Sequence, residues 1–331
     1  MDGNNEPPLV LTPGEPSGVG AEIALKAWRS APPVFFLIDD PDRVRSIARE
    51  LRVSVEVIDS PTGAEEAFRS GLPVMPHHFP VDPVPGAPDP ANGSAVIDAI
   101  RDAVALVGNG KAGAVVTNPI QKSTLHMAGF LHPGHTEYLA NLAGSDRSVM
   151  MLACDTVRVV PVTIHEAIRD VPTLLTRELI VETARITASS LKHDFGIRAP
   201  RLVVAGLNPH AGEAGSIGFE DQEVISPAIE TLRDEAIEVT GPLAADSMFH
   251  EAVRGTYDAA ICMYHDQALI PIKTIDFWGS VNVTIGLPFV RTSPDHGTAL
   301  NLAGTGLADE RSLLAALHMA DKIRRQRATA T

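Results

Sequence analysis

Short, almost wholly apolar runs recur along this chain, and between them lie stretches whose apolar residues fall three and four apart. Leu9 to Thr12, Ala114 to Thr117, Val149 to Ala153, Val157 to Thr163, Arg201 to Ala205 and Ala259 to Met263 read as strands. A strand buried on one face alternates apolar with polar residues. These runs do not alternate, so both faces are covered, as in parallel sheets flanked by helices. Helices are expected over Ala21 to Arg29, Asn92 to Val107, Thr176 to Lys192 and Glu223 to Glu235. In the second of these, Val96, Ile97, Ile100, Val104 and Val107 mark the apolar face. The alternation predicts an α/β protein with a mostly parallel sheet. At about 150 residues per domain, 331 residues make two domains. Pro73 to Pro90, with seven prolines, reads as an extended loop.

Charge and hydropathy narrow the function. With 44% hydrophobic and 21% charged residues, the chain is neither disordered nor a coiled coil. A formal net charge of -14 repels polyanions and argues against sequence-independent nucleic-acid binding. A small anionic metabolite stays compatible, because a few cations converging in one pocket outweigh a diffuse negative surface. No run of about 18 apolar residues exists, and Asp2 and Glu6 stand where a signal peptide carries positive charge. The expectation is a soluble, cytoplasmic protein with no membrane partner. Cys154 and Cys262 each sit in an apolar run and read as buried free thiols.

Two glycine clusters look alike and differ in setting. Gly108 to Gly113 spells the G-x-G-x-x-G dinucleotide fingerprint, yet it follows a helix and precedes a strand. The fingerprint needs the reverse order, since the pyrophosphate rests on the N-terminus of the following helix, so this is a helix end and turn. Gly14-Glu15-Pro16-Ser17-Gly18-Val19-Gly20 does join strand to helix, but with neither dinucleotide nor P-loop spacing; it is either a tight turn or a site-lining loop. Any nicotinamide cofactor is held without the usual fingerprint.

His165, His210 and His265 each lie within a few residues of the carboxyl end of an apolar strand, the edge where open parallel sheets bind ligands. Taken singly, each reads equally as a hydrogen-bonded, partly buried histidine. Taken together, three neutral imidazoles suit a divalent transition metal with an open coordination position. The same edges carry His135-Thr136-Glu137, and Lys273, Asn282 and Arg291 lie in or beside apolar runs, where charge is costly unless paired. Lys273 and Arg291 either hold a phosphate or carboxylate or form structural ion pairs. Asp246 and Asp295-His296 are candidate acid-base groups.

Six motifs in order then resemble one family. They are Leu11 to Gly20, Gly134 to Glu137, Leu207-Asn208-Pro209-His210-Ala211-Gly212-Glu213, Gly241 to Asp246, Met263-Tyr264-His265-Asp266-Gln267 and the run Val281 to Ala299. Together they resemble the 4-hydroxythreonine-4-phosphate dehydrogenases of pyridoxine 5'-phosphate synthesis. The resemblance implies a two-domain fold similar to isocitrate and isopropylmalate dehydrogenases, with the active site in a cleft between domains. It places 1-134 plus 296-331 in a discontinuous first domain and 135-295 in a second domain carrying the metal ligands and the dimer interface. It implies a homodimer with a shared active site. A divalent cation (zinc, magnesium or cobalt) would sit on His165, His210 and His265, with substrate contacts at His135, Thr136, Lys273, Asn282 and Arg291. His296-Gly297-Thr298-Ala299 and the residues up to Gly304 further resemble the loop with which isopropylmalate dehydrogenases hold the adenosine side of NAD, which explains the missing fingerprint. Phe277-Trp278-Gly279-Ser280 departs from the family, where a polar or acidic residue commonly precedes the glycine.

The reaction this implies is NAD- or NADP-dependent oxidation of 4-phosphooxy-L-threonine, a small phosphorylated amino acid, at C3. Loss of carbon dioxide then gives 3-amino-2-oxopropyl phosphate, with Asp246 or Lys273 accepting the proton. Rival readings are a relative acting on threonate or erythronate 4-phosphate or on a cis-dihydrodiol, and, in another class, a metal-dependent phosphatase.

Overall fold

The structure, a computed structural model, describes residues 6–132, 134–145 and 147–330. Asp2 of the acidic amino terminus, and Pro133 ahead of Gly134, lie outside them. The chain forms two units, residues 1–146 with 287–325 and residues 147–286 with 326–331.

In the first unit the strands are β1 (Leu9–Thr12), β2 (Phe35–Asp39), β3 (Val55–Val57), β4 (Leu72–Pro76), β5 (Val115–Thr117) and, after the chain returns, β12 (Arg291–Pro294). They lie in the order β3-β4-β2-β1-β5-β12, all parallel. The continuous apolar runs follow from double-sided burial: Val10, Phe36, Ile38 and Val115 pack with Val96, Ile100 and Val104 of the helix Gly93–Gly108. Truncating a side chain such as Ile100 to alanine is expected to cost about 2–5 kcal/mol. That helix ends where the sequence suggests. Gly110 turns into the left-handed region at φ 69°, its N–H donates to Val107 O, and Lys111 N donates to Leu106 O.

Two expectations needed adjustment. The proline-rich stretch does not begin as a loop, because Leu72–Pro76 is strand β4, between β3 and β2. Pro73 and Pro76 read as turn signals, yet they bracket the fully buried Val74. The units divide at 146 and 286 rather than at 134 and 295. The helix His135–Ala143 contributes Tyr138, Leu139 and Ala140 to the core around Val10 and Ile100, and β12 pairs with β5.

In the second unit the strands are β6 (Val149–Ala153), β7 (Arg158–Pro161), β8 (Arg201–Ala205), β9 (Glu238–Leu243), β10 (Ala259–Cys262) and β11 (Val281–Ile285). Their order is β11-β6-β7-β10-β8-β9. The run β7-β10-β8-β9 is parallel, while β6 pairs antiparallel with both β7 and β11. Leu152, Val159, Val203, Ala260 and Cys262 share one core cluster. Both cysteines are free and buried, and burial pushes the Cys262 thiol far above its usual range. Among the described residues no helix is long and apolar enough to cross a membrane.

Candidate functional site

In the first unit, β5 and β12 run side by side, with Arg291 opposite Val115 and Thr292 opposite Val116. Arg291 is 2% exposed. Its Nη2 donates to Thr117 Oγ1 at 2.7 Å, and burial lowers its pKa to about 10 while the Glu137 carboxylate acts the other way. His135 opens the helix His135–Ala143. Its Nε2 is sealed from solvent and has no hydrogen-bond partner among the described residues. Burial, with the charges of Arg291 and Lys122, holds the imidazole well below its usual 6.5, so it stays neutral. A neutral imidazole, a hydroxyl and a desolvated guanidinium together form an anion-recognising surface. His135 and Arg291 of the expected substrate set are thus brought together, and Thr136 is in the same helical turn as His135. Thr117 and Lys122 join them. Thr117 was findable as a polar residue closing an apolar strand, whereas nothing in the sequence marks Lys122.

The loop after β1 is laced to two other segments of this unit. Glu15 N donates to Pro119 O, Val19 N to Thr298 O, and Gly86 N to Ser17 O. Glycine is required at two of these approaches. A Cβ on Gly14, whose φ is +70°, would lie 2.6 Å from Pro119 O, and one on Gly18 would lie 2.8 Å from Thr298 O. Of the expected cofactor residues, Thr298 donates to Gln121 Oε1 at 3.3 Å and Ala299 sits in the left-handed region. A Cβ on Gly297 would meet nothing. His296 Nδ1 lies 2.8 Å from Gly297 O, and its Nε2 is sealed with no partner among the described residues.

Beside these loops opens a cavity of about 490 Å³ lined by Gly18, Gly304 and Gly306, with Ile47, Leu51 and Phe79 as its apolar wall. Asp40, Asp42 and Glu50 also line it. Asp40 caps the helix Pro41–Leu51 by accepting from Asp42 N and Arg43 N. The one arginine in the lining, Arg43, is already committed to both carboxylate oxygens of Asp39 at 2.8 Å and to Pro16 O.

In the second unit, β7 and β10 are adjacent and parallel, with Cys262 opposite Pro161. Pairing continues as Val162 N donates to Cys262 O and Thr163 N to Met263 O. The residues just past it, His165 and His265, therefore stand side by side, ring centroids 5.8 Å apart. Both line an open cavity of about 530 Å³. His265 Nδ1 lies 2.7 Å from Asp266 Oδ1, a contact that orients the ring and directs Nε2 away from the carboxylate. Two such imidazoles, one backed by a carboxylate, are a donor set suited to a divalent transition metal.

His210 does not line that cavity. It stands exposed in a left-handed turn after β8, and among the described residues no three His, Cys, Asp or Glu side chains are placed to hold an ion. Asp246 is exposed in the turn after β9, and Lys273 Nζ lies 5.1 Å above the Phe277 ring. On β11, Asn282 has a sealed Oδ1 with no partner among the described residues. Asp266, the orienting partner of His265, was passed over in the sequence although it is the next residue.

Comparison with known proteins identifies relatives along the whole chain. A relative named 4-hydroxythreonine-4-phosphate dehydrogenase from Methylorubrum populi is 53% identical, covering 97% of this chain and 95% of its own. The crystal structure of 4-hydroxythreonine-4-phosphate dehydrogenase from Klebsiella pneumoniae superposes with a TM-score of 0.87 at 34% identity, covering 96% of this chain and 99% of that one. A terephthalate 1,2-cis-dihydrodiol dehydrogenase from Burkholderia xenovorans superposes less closely, with a TM-score of 0.64 at 28% identity, covering 95% and 97%. The family model described as "Pyridoxal phosphate biosynthetic protein PdxA" matches residues 31–320, and the chain belongs to that family.

Proposed function

We propose that the chain oxidises 4-phosphooxy-L-threonine at C3 with NAD and decarboxylates the product to 3-amino-2-oxopropyl phosphate, as a cytoplasmic enzyme of pyridoxal phosphate biosynthesis. The observation that carries this is the buried Arg291 beside neutral His135 and Thr117, in a chain matched along its length by relatives of that name. Arg291, Thr117 and His135 bind an anionic group of the substrate, with Thr136, Lys273 and Asn282 as further contacts. His165 and His265 hold a divalent cation (zinc, magnesium or cobalt), the latter oriented by Asp266. Once bound, a cation on His165 and His265 would supply Lewis-acid polarisation and nicotinamide would supply the hydride acceptor for C3; the β-keto acid so formed can lose carbon dioxide. Asp246 or Lys273 takes the proton of the C3 hydroxyl.

His296, Gly297, Thr298 and Ala299 hold the adenosine side of the cofactor, with Phe79 and Ile47 as apolar wall. The carboxylates of Asp40, Asp42 and Glu50 around that cavity favour NAD, since a 2'-phosphate would meet like charge and Arg43 is already engaged. The second unit carries the metal ligands and the dimer interface. His210, outside the histidine cavity of its own chain, completes the ligand set of a second copy. The exposed apolar Ile168, Phe219, Ile270 and Trp278 of that unit support a covered face there.

The test is absorbance at the NADH band with a panel of 4-phosphooxy-L-threonine, unphosphorylated 4-hydroxythreonine, erythronate 4-phosphate and a cis-dihydrodiol, each with and without chelator. Turnover confined to the first and abolished by chelator is expected. Equal turnover of the first two overturns the phosphate assignment, and preference for the dihydrodiol overturns the substrate.

A further inference from the structure

Between β8 and the helix Ser226–Asp234 the chain does something costly. Six consecutive residues, His210 to Gly215, take positive φ between 45° and 94°, and only Gly212 and Gly215 among them are glycine. His210, Ala211, Glu213 and Ala214 are half of the eight non-glycine residues with positive φ among those described. Each such residue costs about 1–2 kcal/mol, and a turn of this kind persists only where its surroundings over-determine it. A turn serving architecture alone would be expected to carry glycine at more than two of these six positions.

The restraint is visible. Asp221, 1% exposed, opens a π-helical turn, Asp221–Ile225, and aims its carboxylate back into the loop. Oδ1 accepts from Leu207 N at 2.8 Å, and Oδ2 accepts from Asn208 N at 3.1 Å and Asn208 Nδ2 at 3.0 Å. The loop closes around it so tightly that a Cβ on Gly206 would lie 2.8 Å from Oδ1 and one on Gly212 3.1 Å from Oδ2. A second tie runs to the other histidine. Gln267, two residues beyond His265, donates Nε2 to Gly206 O at 2.7 Å and accepts Met263 N at 2.6 Å. The root of the His210 turn is thereby fastened to the segment that presents His265.

We propose that Asp221 is a positioning residue: it holds the left-handed turn 209–215 and so sets where His210 stands. The proposal rests on the reading of His210 as a metal ligand, and its action is entirely through His210. Asp221→Asn keeps the shape but turns an amide N–H₂ toward N–H donors, so at most one acceptor oxygen serves three N–H groups.

The experiment measures Zn²⁺ affinity by calorimetry on the whole protein for wild type, Asp221→Asn, His210→Ala and the double variant, with limited proteolysis of each. Asp221→Asn is expected to weaken Zn²⁺ binding by about 10- to 100-fold, the usual effect of losing a residue that orients a ligand, and to speed cleavage within 209–219. In the His210→Ala background it should weaken binding no further. Wild-type affinity in Asp221→Asn while His210→Ala loses Zn²⁺ overturns the proposal, and so does an equal loss in the His210→Ala background, which would mark a general structural effect. If His210→Ala itself binds Zn²⁺ normally, the ligand reading fails. Proteolysis then decides the restraint alone, fast cleavage of Asp221→Asn upholding it and wild-type resistance overturning it. Should Asp221→Asn not fold, Asn208→Ala, which removes only the side-chain donor, is expected to move both readouts the same way by a smaller factor, and no movement in either overturns the proposal.

Discussion

Replacing Arg291 with methionine separates two roles that a buried cation can have. Burial lowers the guanidinium pKa from its ordinary value to about 10, so the folded, ligand-free protein carries a cost of about 3 kcal/mol for keeping this group charged. Against that stands the bond to Thr117 Oγ1, of the charge-assisted kind that contributes about 1.5–3 kcal/mol. Arg291→Met removes that cost and the bond together, so it should change the stability of the free protein by less than an ordinary core truncation, which costs about 2–5 kcal/mol. Anion binding should suffer far more. Loss of a buried, hydrogen-bonded charge pair costs about 2–5 kcal/mol, which is roughly 30- to 5000-fold in kcat/KM for 4-phosphooxy-L-threonine. Urea unfolding of wild type and variant, followed by kcat/KM on the same preparations, reads both. A variant destabilised by about 3 kcal/mol or more with kcat/KM within about a factor of three of wild type would make Arg291 a structural cation and rule out its anion-binding role.

His135 makes stability depend on pH. Its folded pKa lies well below the unfolded 6.5, so the folded state binds fewer protons, and stability present above pH 6.5 is lost as pH falls through and below it. Urea midpoints between pH 7.5 and 5 should fall for wild type and fall less for His135→Gln; parallel slopes contradict this. His165→Ala and His265→Ala should each lose bound metal with the fold intact by circular dichroism, and retention in both would move the site. Mixing inactive His210→Ala and inactive His265→Ala proteins should restore activity, since one site of the mixed dimer then has neither change; no restoration contradicts the shared site. Glu50→Arg should raise kcat/KM with NADP relative to NAD by roughly tenfold, by replacing like charge with a phosphate partner, and an unchanged ratio places the adenosine elsewhere.

The strands were legible because double-sided burial writes itself as uninterrupted apolar runs, and Leu9–Thr12, Val149–Ala153 and Arg201–Ala205 begin and end where those runs do. β4 was not, because Pro73 and Pro76 carry turn chemistry while Val74 between them carries the burial. His165 and His265 could each be placed at a strand end from local sequence. That they meet depends on β7 and β10 being neighbours, a pairing between segments about a hundred residues apart. The same limit hid Thr117 beside Arg291, 174 positions apart, and Asp221 behind the His210 turn. For His210 the strand-end argument stopped short, since six left-handed residues after Pro209 redirect the chain in a way no propensity of His, Ala or Glu announces.

The central claim, oxidative decarboxylation of a phosphorylated amino acid, is tested most directly by incubating the zinc-loaded protein with 4-phosphooxy-L-threonine and NAD while following NADH and released carbon dioxide together. One NADH and one carbon dioxide are expected per substrate consumed, both abolished by chelator and both sharply reduced in Arg291→Met. Release of inorganic phosphate without NADH, or NADH without carbon dioxide, would contradict that claim.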